Sequence, residues 1–467
     1  MRAISGNKWG ASKRTLLLVY RSLIRSVIEY GSIAYDSAGE VNKRKLDSIQ
    51  AQALRIVCGA VRGTATAALQ VDVGEPPLQI RRLQHQVKYA AKVFCDINHP
   101  ARAVFEPHWT DRSRNYTANT VPISNKIAEF FRENNTLIWD RFIWPLQPPW
   151  RRKEFPIDIH LSKIGNKNEN PIALSCIAKD YIDSHSNQLH IYTDASKTTD
   201  ITSAAFFIPE LKVTSAVLLP SDLNIFSAEL IAIKLSIEWI LNSFREYNII
   251  KHIVIFSDSL SSLSAIKAGS SQSRPNIINE IFELVDKLDV IVKLVWIPSH
   301  LGIPGNETVD KAARFARENC APTLNYPLAL NEVYSKIQRY VLRKWQNVWQ
   351  LSDTGKFYRE IEPSVSLGIK YENTTRRKET VITRLRFGVC RTNEYLHKIK
   401  VLSTDRCHEC KTDVETVRHL LLDCPVSPLC GKVLDICTSL NMSPDLKVIL
   451  QNRKILDAIY SNIKRAI

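Results

Sequence analysis

The chain has 467 residues, 45% of them hydrophobic, and a formal charge of +16 at pH 7. That is enough for two or three domains with their own cores, and the composition excludes a disordered tail. Apolar stretches such as Leu230–Leu241 are broken by Lys234 and Glu238, so none reaches the ~20 uninterrupted residues of a membrane span.

The first fourteen residues are basic but lack the apolar centre of a signal peptide. The ten cysteines stand mostly alone, with Cys407 and Cys410 the one close pair. This pattern suits a metal ligand set better than a disulfide framework. An intracellular, soluble protein is expected.

Leu16, Leu17, Tyr20, Leu23, Ile24, Val27 and Ile28 recur at helical spacing, and a second helix is expected over Leu46–Val57. The region 1–145 thus reads as mostly helical. Pro145 to Pro156 holds Pro148, Pro149, Arg151, Arg152 and Lys153 and breaks any periodicity, so a linker is placed over 146–187. Residues 188–320 change character, with β-rich runs at Leu189–Thr193, Ala204–Ile208, Leu211–Leu219, Ile253–Phe256 and Val290–Ile297. Between the third and fourth runs Leu230, Ile233, Ile237, Ile240 and Leu241 mark a helix, with Ser227 as its expected cap. The order predicts an α/β layer fold with a five-stranded mixed sheet flanked by helices. In 321–467 helices return, beginning with the stripe Val333, Ile337, Val341, Trp345 and Val348.

Charge is unevenly placed. Residues 188–320 carry 12 Lys and Arg against 15 Asp and Glu, a balance of −3, which leaves the flanks 51 basic and 32 acidic residues. An acidic centre that accepts a polyanion gains from basic surroundings, although a basic surface also serves solubility alone.

Asp194 and Asp258 each follow an apolar run, where α/β sheets place ligand sites. Glu229 shares a helical face with Ile233 and Ile237, and a carboxylate on a buried stripe needs a partner. No basic residue lies one turn away on that stripe. A metal shared with Asp194 and Asp258 would serve, because two carboxylates ~4 Å apart repel by roughly 4 kcal/mol at an effective dielectric of ~20. Oxygen-only ligands favour magnesium or manganese. A single Asp at a strand end is more often a turn-former or cap; the combination carries the argument.

The motifs IYTDAS with Asp194, SAEL with Glu229, FSDSLSSL with Asp258, and WIPSHLGIPGNETVD with His300 and Asp310 resemble, in order and spacing, those of type 1 ribonucleases H. The resemblance implies that Asp194, Glu229, Asp258 and Asp310 hold two magnesium or manganese ions. It also implies that His300 moves a proton or aids product release, and that RNA paired with DNA is cut by a two-metal mechanism. Selection of RNA would rest on its 2′-hydroxyls. Gly302, Gly305 and Asn306 shape the loop into the last helix, with Asn306 a natural cap or a purely structural residue. One departure is visible. Between Gly269 and Ile291 the only basic residues are Arg274 and Lys287, so the basic protrusion of some cellular members is missing and substrate affinity is expected from the flanks.

Cys407, Cys410, His419 and Cys424 stand as C-x2-C-x8-H-x4-C, a zinc-ligand spacing within a small module, 407–424; His408 is a geometrically poorer substitute for His419. TRLRF from Thr383, YLHK from Tyr395 and ETVRHLLLDCP from Glu415 resemble the C-terminal segment of non-LTR retrotransposon polyproteins. Lys8–Tyr35 and GEPPLQIRR from Gly74 resemble the thumb-like end of their reverse transcriptases. Polymerase chemistry needs an adjacent Asp pair, and no Asp-Asp dipeptide occurs. The resemblance therefore implies a polyprotein fragment without the polymerase palm. The expected activity is hydrolysis of RNA in RNA/DNA hybrids. The alternatives are a catalytically silent nucleic-acid-binding remnant, or a DNA-directed nuclease or integrase of the same fold, against which the helical glutamate and the His300 loop argue.

Overall fold

The β-rich runs of the middle region pair into one mixed sheet of six strands in the order β1-β6-β5-β2-β3-β4. These are β1 Ile157–Asp158, β2 Leu189–Lys197, β3 Thr202–Ile208, β4 Val213–Leu219, β5 His252–Ser257 and β6 Ile291–Trp296. The structure is a computed structural model that describes residues 1–6, 9–96, 98–102, 123–134, 150, 152–153, 155–164, 170–243, 252–373 and 375–462. Of the expected linker, residues 146–149, 151, 154 and 165–169 lie outside the described set, as does Lys8.

Strands β2, β3 and β4 form an antiparallel meander, while β5 runs parallel to β2, and β6 parallel to both β5 and β1. The sheet has one strand more than expected. The extra strand, β1, comes from the segment expected as linker and pairs Ile157 with Leu294 and Asp158 with Val295. Two residues carry no readable alternation, which is why sequence periodicity misses it.

Five helices belong with the sheet: α1 Pro171–Asp183, α2 Ile225–Ser243, α3 Leu260–Lys267, α4 Pro275–Asp286 and α5 Pro304–Arg314. Tyr192, Ala205, Val254, Phe256 and Val295 form one core with Ala178 and Ile182 of α1 and Val309 and Ala313 of α5. Phe206, next in register to Ala205, meets Trp239 of α2. Alternation along each strand thus supplies both packed faces, the period-2 logic of a sheet covered on both sides.

The N-terminus of α2 departs from expectation. Asn224 is the cap: its side-chain oxygen accepts the Ser227 N–H at 2.7 Å. Ser227 is fully buried, and its hydroxyl donates to Glu332 at 2.7 Å and accepts from Arg274 Nε at 2.8 Å. Glu332 also accepts the N–H groups of Asn224 and Ala329, while Arg274 donates to the Pro327 carbonyl. Arg274 also donates to Glu332 Oε2 at 2.5 Å, so every lone pair of this buried carboxylate finds a donor, as a desolvated ion pair requires.

The chain divides into two compact units. One takes the described residues of 88–113 and 127–336, and the other those of 1–87, 114–126 and 337–467. The second unit is helical, including helices Lys13–Val19, Glu40–Cys58, Thr66–Val73 and Arg376–Arg386. The N-terminal and C-terminal regions, read apart in sequence, share its interior. Buried Lys13 donates from Nζ to Asp72, the Tyr371 carbonyl and Thr383, and Tyr358 donates to Asp72 at 2.9 Å. Among the described residues no helix is long and apolar enough to cross a membrane.

Candidate active site

Parallel pairing between β2 and β5 ends at Thr193 with Ser257. Asp194 and Asp258 are the next residue on each, so two carboxylates follow the last rung side by side. Asp258 follows the end of β5, as expected, but Asp194 lies within its strand. β2 runs on to Lys197 because β3 still pairs with it there, Asp194 facing Ala205 and Lys197 facing Thr202. Glu229 comes from the first turns of α2. One oxygen each from Asp194, Glu229 and Asp258 lies within 4.8 Å of the others. Asp310, on α5, is not among these three; it lines the same concavity of about 340 Å³ with His300 and is paired with Arg314 Nε at 2.8 Å.

Burial sets the electrostatics. Asp194 and Glu229 are 6% and 5% exposed. The Asp194 carboxyl is pushed up to about 8, by burial first and then by Asp258. Glu229 is raised well above the usual range by burial and then by Asp194 and Asp258. Asp258 rises through burial, with Asn306 as a hydrogen-bonding side chain and the nearby His300 pulling the other way. The Ala195 N–H donates to Asp194 at 2.8 Å, yet Glu229 Oε2 is buried with no hydrogen-bond partner. An anionic oxygen left without a donor beside two other carboxylates is expensive unless a cation takes it. The donor set is all oxygen and fits a hard divalent ion.

His300 is exposed at the mouth with a backbone φ of +56°, a left-handed conformation rare outside glycine and concentrated at functional sites. The loop that carries it closes onto α5 through Gly305, where a Cβ would lie 2.3 Å from the Tyr192 ring. Asn306 is not the cap expected of it. Helix α5 starts after Ile303 without a side-chain cap, and Asn306 is a buried residue of its first turn. Sequence reasoning also missed Trp296, whose indole Nε1 donates to the Asp258 carbonyl at 3.0 Å and fixes the backbone of that acid. Arg274, one of two basic residues between Gly269 and Ile291, is fully buried, so on that segment only Lys287 remains exposed.

A second candidate site lies in the other unit. Ligand atoms of Cys407, Cys410, His419 and Cys424 all fall within 4.8 Å of one another, with Cys407 Sγ 3.9 Å from Cys424 Sγ and Cys410 Sγ 3.4 Å from His419 Nε2. His408 pairs with Glu415 and groups with Cys407 and Glu415, outside the four-residue set. The backbone N–H of Asp413 and then the Thr412 hydroxyl lower Cys410 to about 6, favouring the thiolate a metal binds, whereas burial raises Cys407 to about 11. Three sulfurs and one imidazole at this spacing suit a closed tetrahedral zinc site.

Residues 186–318 match the family model described as RNase H, and Asp194, Glu229, Asp258, His300 and Asp310 all fall inside that match. That stretch of the chain is a ribonuclease H domain.

Proposed function

We propose that this chain hydrolyses the RNA strand of RNA/DNA hybrids endonucleolytically, with Asp194, Glu229, Asp258 and Asp310 holding two magnesium or manganese ions. The observation that carries the reading is the convergence of three buried carboxylates within 4.8 Å, one with an orphaned oxygen, inside a ribonuclease H domain. Bound there, the ions would supply an activated water and stabilise the leaving 3′ oxygen.

The protein's own part is to position charge. Trp296 and Asn306 hold Asp258 from backbone and side chain. The Asn224 cap and the Ser227–Arg274–Glu332 cluster fix the first turn of α2, and with it Glu229. His300, exposed beside Asp258, moves a proton at the mouth of the concavity. The site lies in a region of formal charge −3 whose flanks hold 51 basic and 32 acidic residues, so the flanks supply the affinity for a polyanion.

We read those flanks as parts of a non-LTR retrotransposon polyprotein acting inside the cell. The thumb-like segment within 1–145 and the module 407–424, carrying one zinc on Cys407, Cys410, His419 and Cys424, support that reading.

A labelled RNA/DNA hybrid with magnesium, run beside duplex DNA and duplex RNA, tests the activity. Cleavage confined to the hybrid and abolished in Asp194→Asn is expected. Cleavage that survives the substitution removes the assigned site, and a chain that binds hybrid without cutting it is the silent remnant instead. For zinc, one ion per chain is expected by elemental analysis, and less in Cys407→Ser; equal content in both removes the site.

A further inference from the structure

The basic excess of the flanks has one focus in a concavity distant in sequence from the carboxylates. In the helical unit a concavity of about 620 Å³ is lined by Arg2, Arg55, Arg62 and Arg376, with Ser5 and Gln52 among the polar remainder. No acidic or aromatic residue is among the described residues lining it. Arg2, Arg55 and Arg62 form no ion pair among the described residues. Arg55 Nε is buried with no hydrogen-bond partner at all.

The wall is the C-terminal end of helix Glu40–Cys58, whose free carbonyls would ordinarily repel an anion. Here they are taken. Arg376 donates to the Val57 carbonyl at 2.6 Å and to that of Ile56 at 2.5 Å, Arg384 donates to the Gly59 carbonyl at 2.8 Å, and the Ala60 N–H donates to the Arg55 carbonyl at 3.0 Å. With the negative pole satisfied from within, Arg2, Arg55 and Arg62 are left without an internal anion. The guanidinium of Arg384 is held below its usual value by burial first and by Arg376 next.

We propose that this concavity binds the phosphates of single-stranded nucleic acid. Arginine forks match phosphate oxygens bidentately. A pocket of this size admits a phosphate with its flanking sugars, whereas a duplex is too wide to enter. The lining itself holds no aromatic side chain, and the exposed Trp9 indole beside Gly6 offers stacking that any base can use, so the site reads backbone and not sequence. The site stands apart from the nuclease reading and does not depend on it.

The test is fluorescence anisotropy with the full chain, short labelled polyuridylate and polyadenylate as probes, and magnesium-free buffer without chelator so that any zinc stays bound. Arg55→Ala/Arg62→Ala is expected to weaken both probes equally, by roughly tenfold or more. It should also lower the slope of log K against log salt by about 1.4, at ~0.7 per lost phosphate contact. The control Arg44→Ala/Lys45→Ala removes the same charge from exposed positions of the same helix. Should Arg55→Ala unfold the helix, Arg2→Ala/Arg62→Ala, both at exposed positions, carries the same expectation. Equal weakening by the control, an unchanged slope in the pocket variants, or poly-glutamate competing as well as unlabelled oligonucleotide would each overturn the proposal.

Discussion

Replacing Glu229 by Gln keeps the side chain's shape and removes one of three charges packed within 4.8 Å. At about 4.8 Å and an effective dielectric of ~20, each ionised pair repels by about 3.5 kcal/mol, and the substitution deletes two of the three pairs. Asp194 is pushed up to about 8 in the folded chain, against ~4 for an unfolded carboxylate. The folded, metal-free domain therefore holds protons that the unfolded chain releases, and its stability falls as pH rises from about 4 toward 8. Glu229→Gln removes much of that decline. Near pH 5 the two proteins should melt together; near pH 9 without divalent ions the variant should melt higher, by on the order of 10 °C if one repulsion of about 3.5 kcal/mol is relieved at ~2–4 °C per kcal/mol. Calorimetry should follow the transition that magnesium moves in the wild type, in buffer freed of magnesium but not chelated. Magnesium should raise that transition strongly in the wild type and weakly in the variant, and hybrid cleavage should vanish in the variant. Coincident metal-free melts near pH 9, or an equal rise with magnesium in both, would refute the shared-cation argument.

Glu332→Ala leaves the fully buried Arg274 without its carboxylate, and equilibrium urea unfolding should show a loss of about 3–5 kcal/mol. That result would place Glu332, beyond the 186–318 match, within the cooperative unit of the nuclease. Gly305→Ala drives a Cβ into the Tyr192 ring, 2.3 Å away, and should lower the urea midpoint by the equivalent of ~1–3 kcal/mol with an unchanged m-value. Stripping metal from the cysteine module should release the backbone amides of Cys407, Lys411 and Cys424, which bond within the module, to hydrogen exchange, while those of β2 and β5 keep their protection.

Strands with a buried face on each side left clear runs of Ile, Val and Phe, and all five expected strands appear with ends displaced by a few residues. The displacements have causes. β2 extends past Thr193 because β3 pairs with it through Lys197, a contact that no local pattern encodes. Ser227 and Asn306 carry the right chemistry for caps, but each is a buried residue of a first helical turn, held by partners distant in sequence. The Arg274–Glu332 pair was invisible for the same reason: an arginine in a serine-rich loop reads as surface until the 58 residues separating it from its carboxylate fold back.

Glu229 was the most legible residue of the site because it violated the pattern around it. Its helix is buried along Ala228, Leu230, Ile231 and Ile233, and a carboxyl in that company either keeps its proton or takes a cation. The fold answers with rigidity at the place that matters. Two residues before Glu229, Ser227 is bonded on both sides to a buried ion pair, so the first turn of α2 has little freedom to swing the acid outward when no ion is present. Relaxation away from Asp194 and Asp258 would relieve the repulsion; the cluster prevents it. The repulsion is therefore relieved in the folded chain by the protons that Asp194 and Glu229 retain, and the proposed cation would displace them, so on that reading its affinity rests on the Ser227–Arg274–Glu332 cluster as much as on the carboxylates themselves.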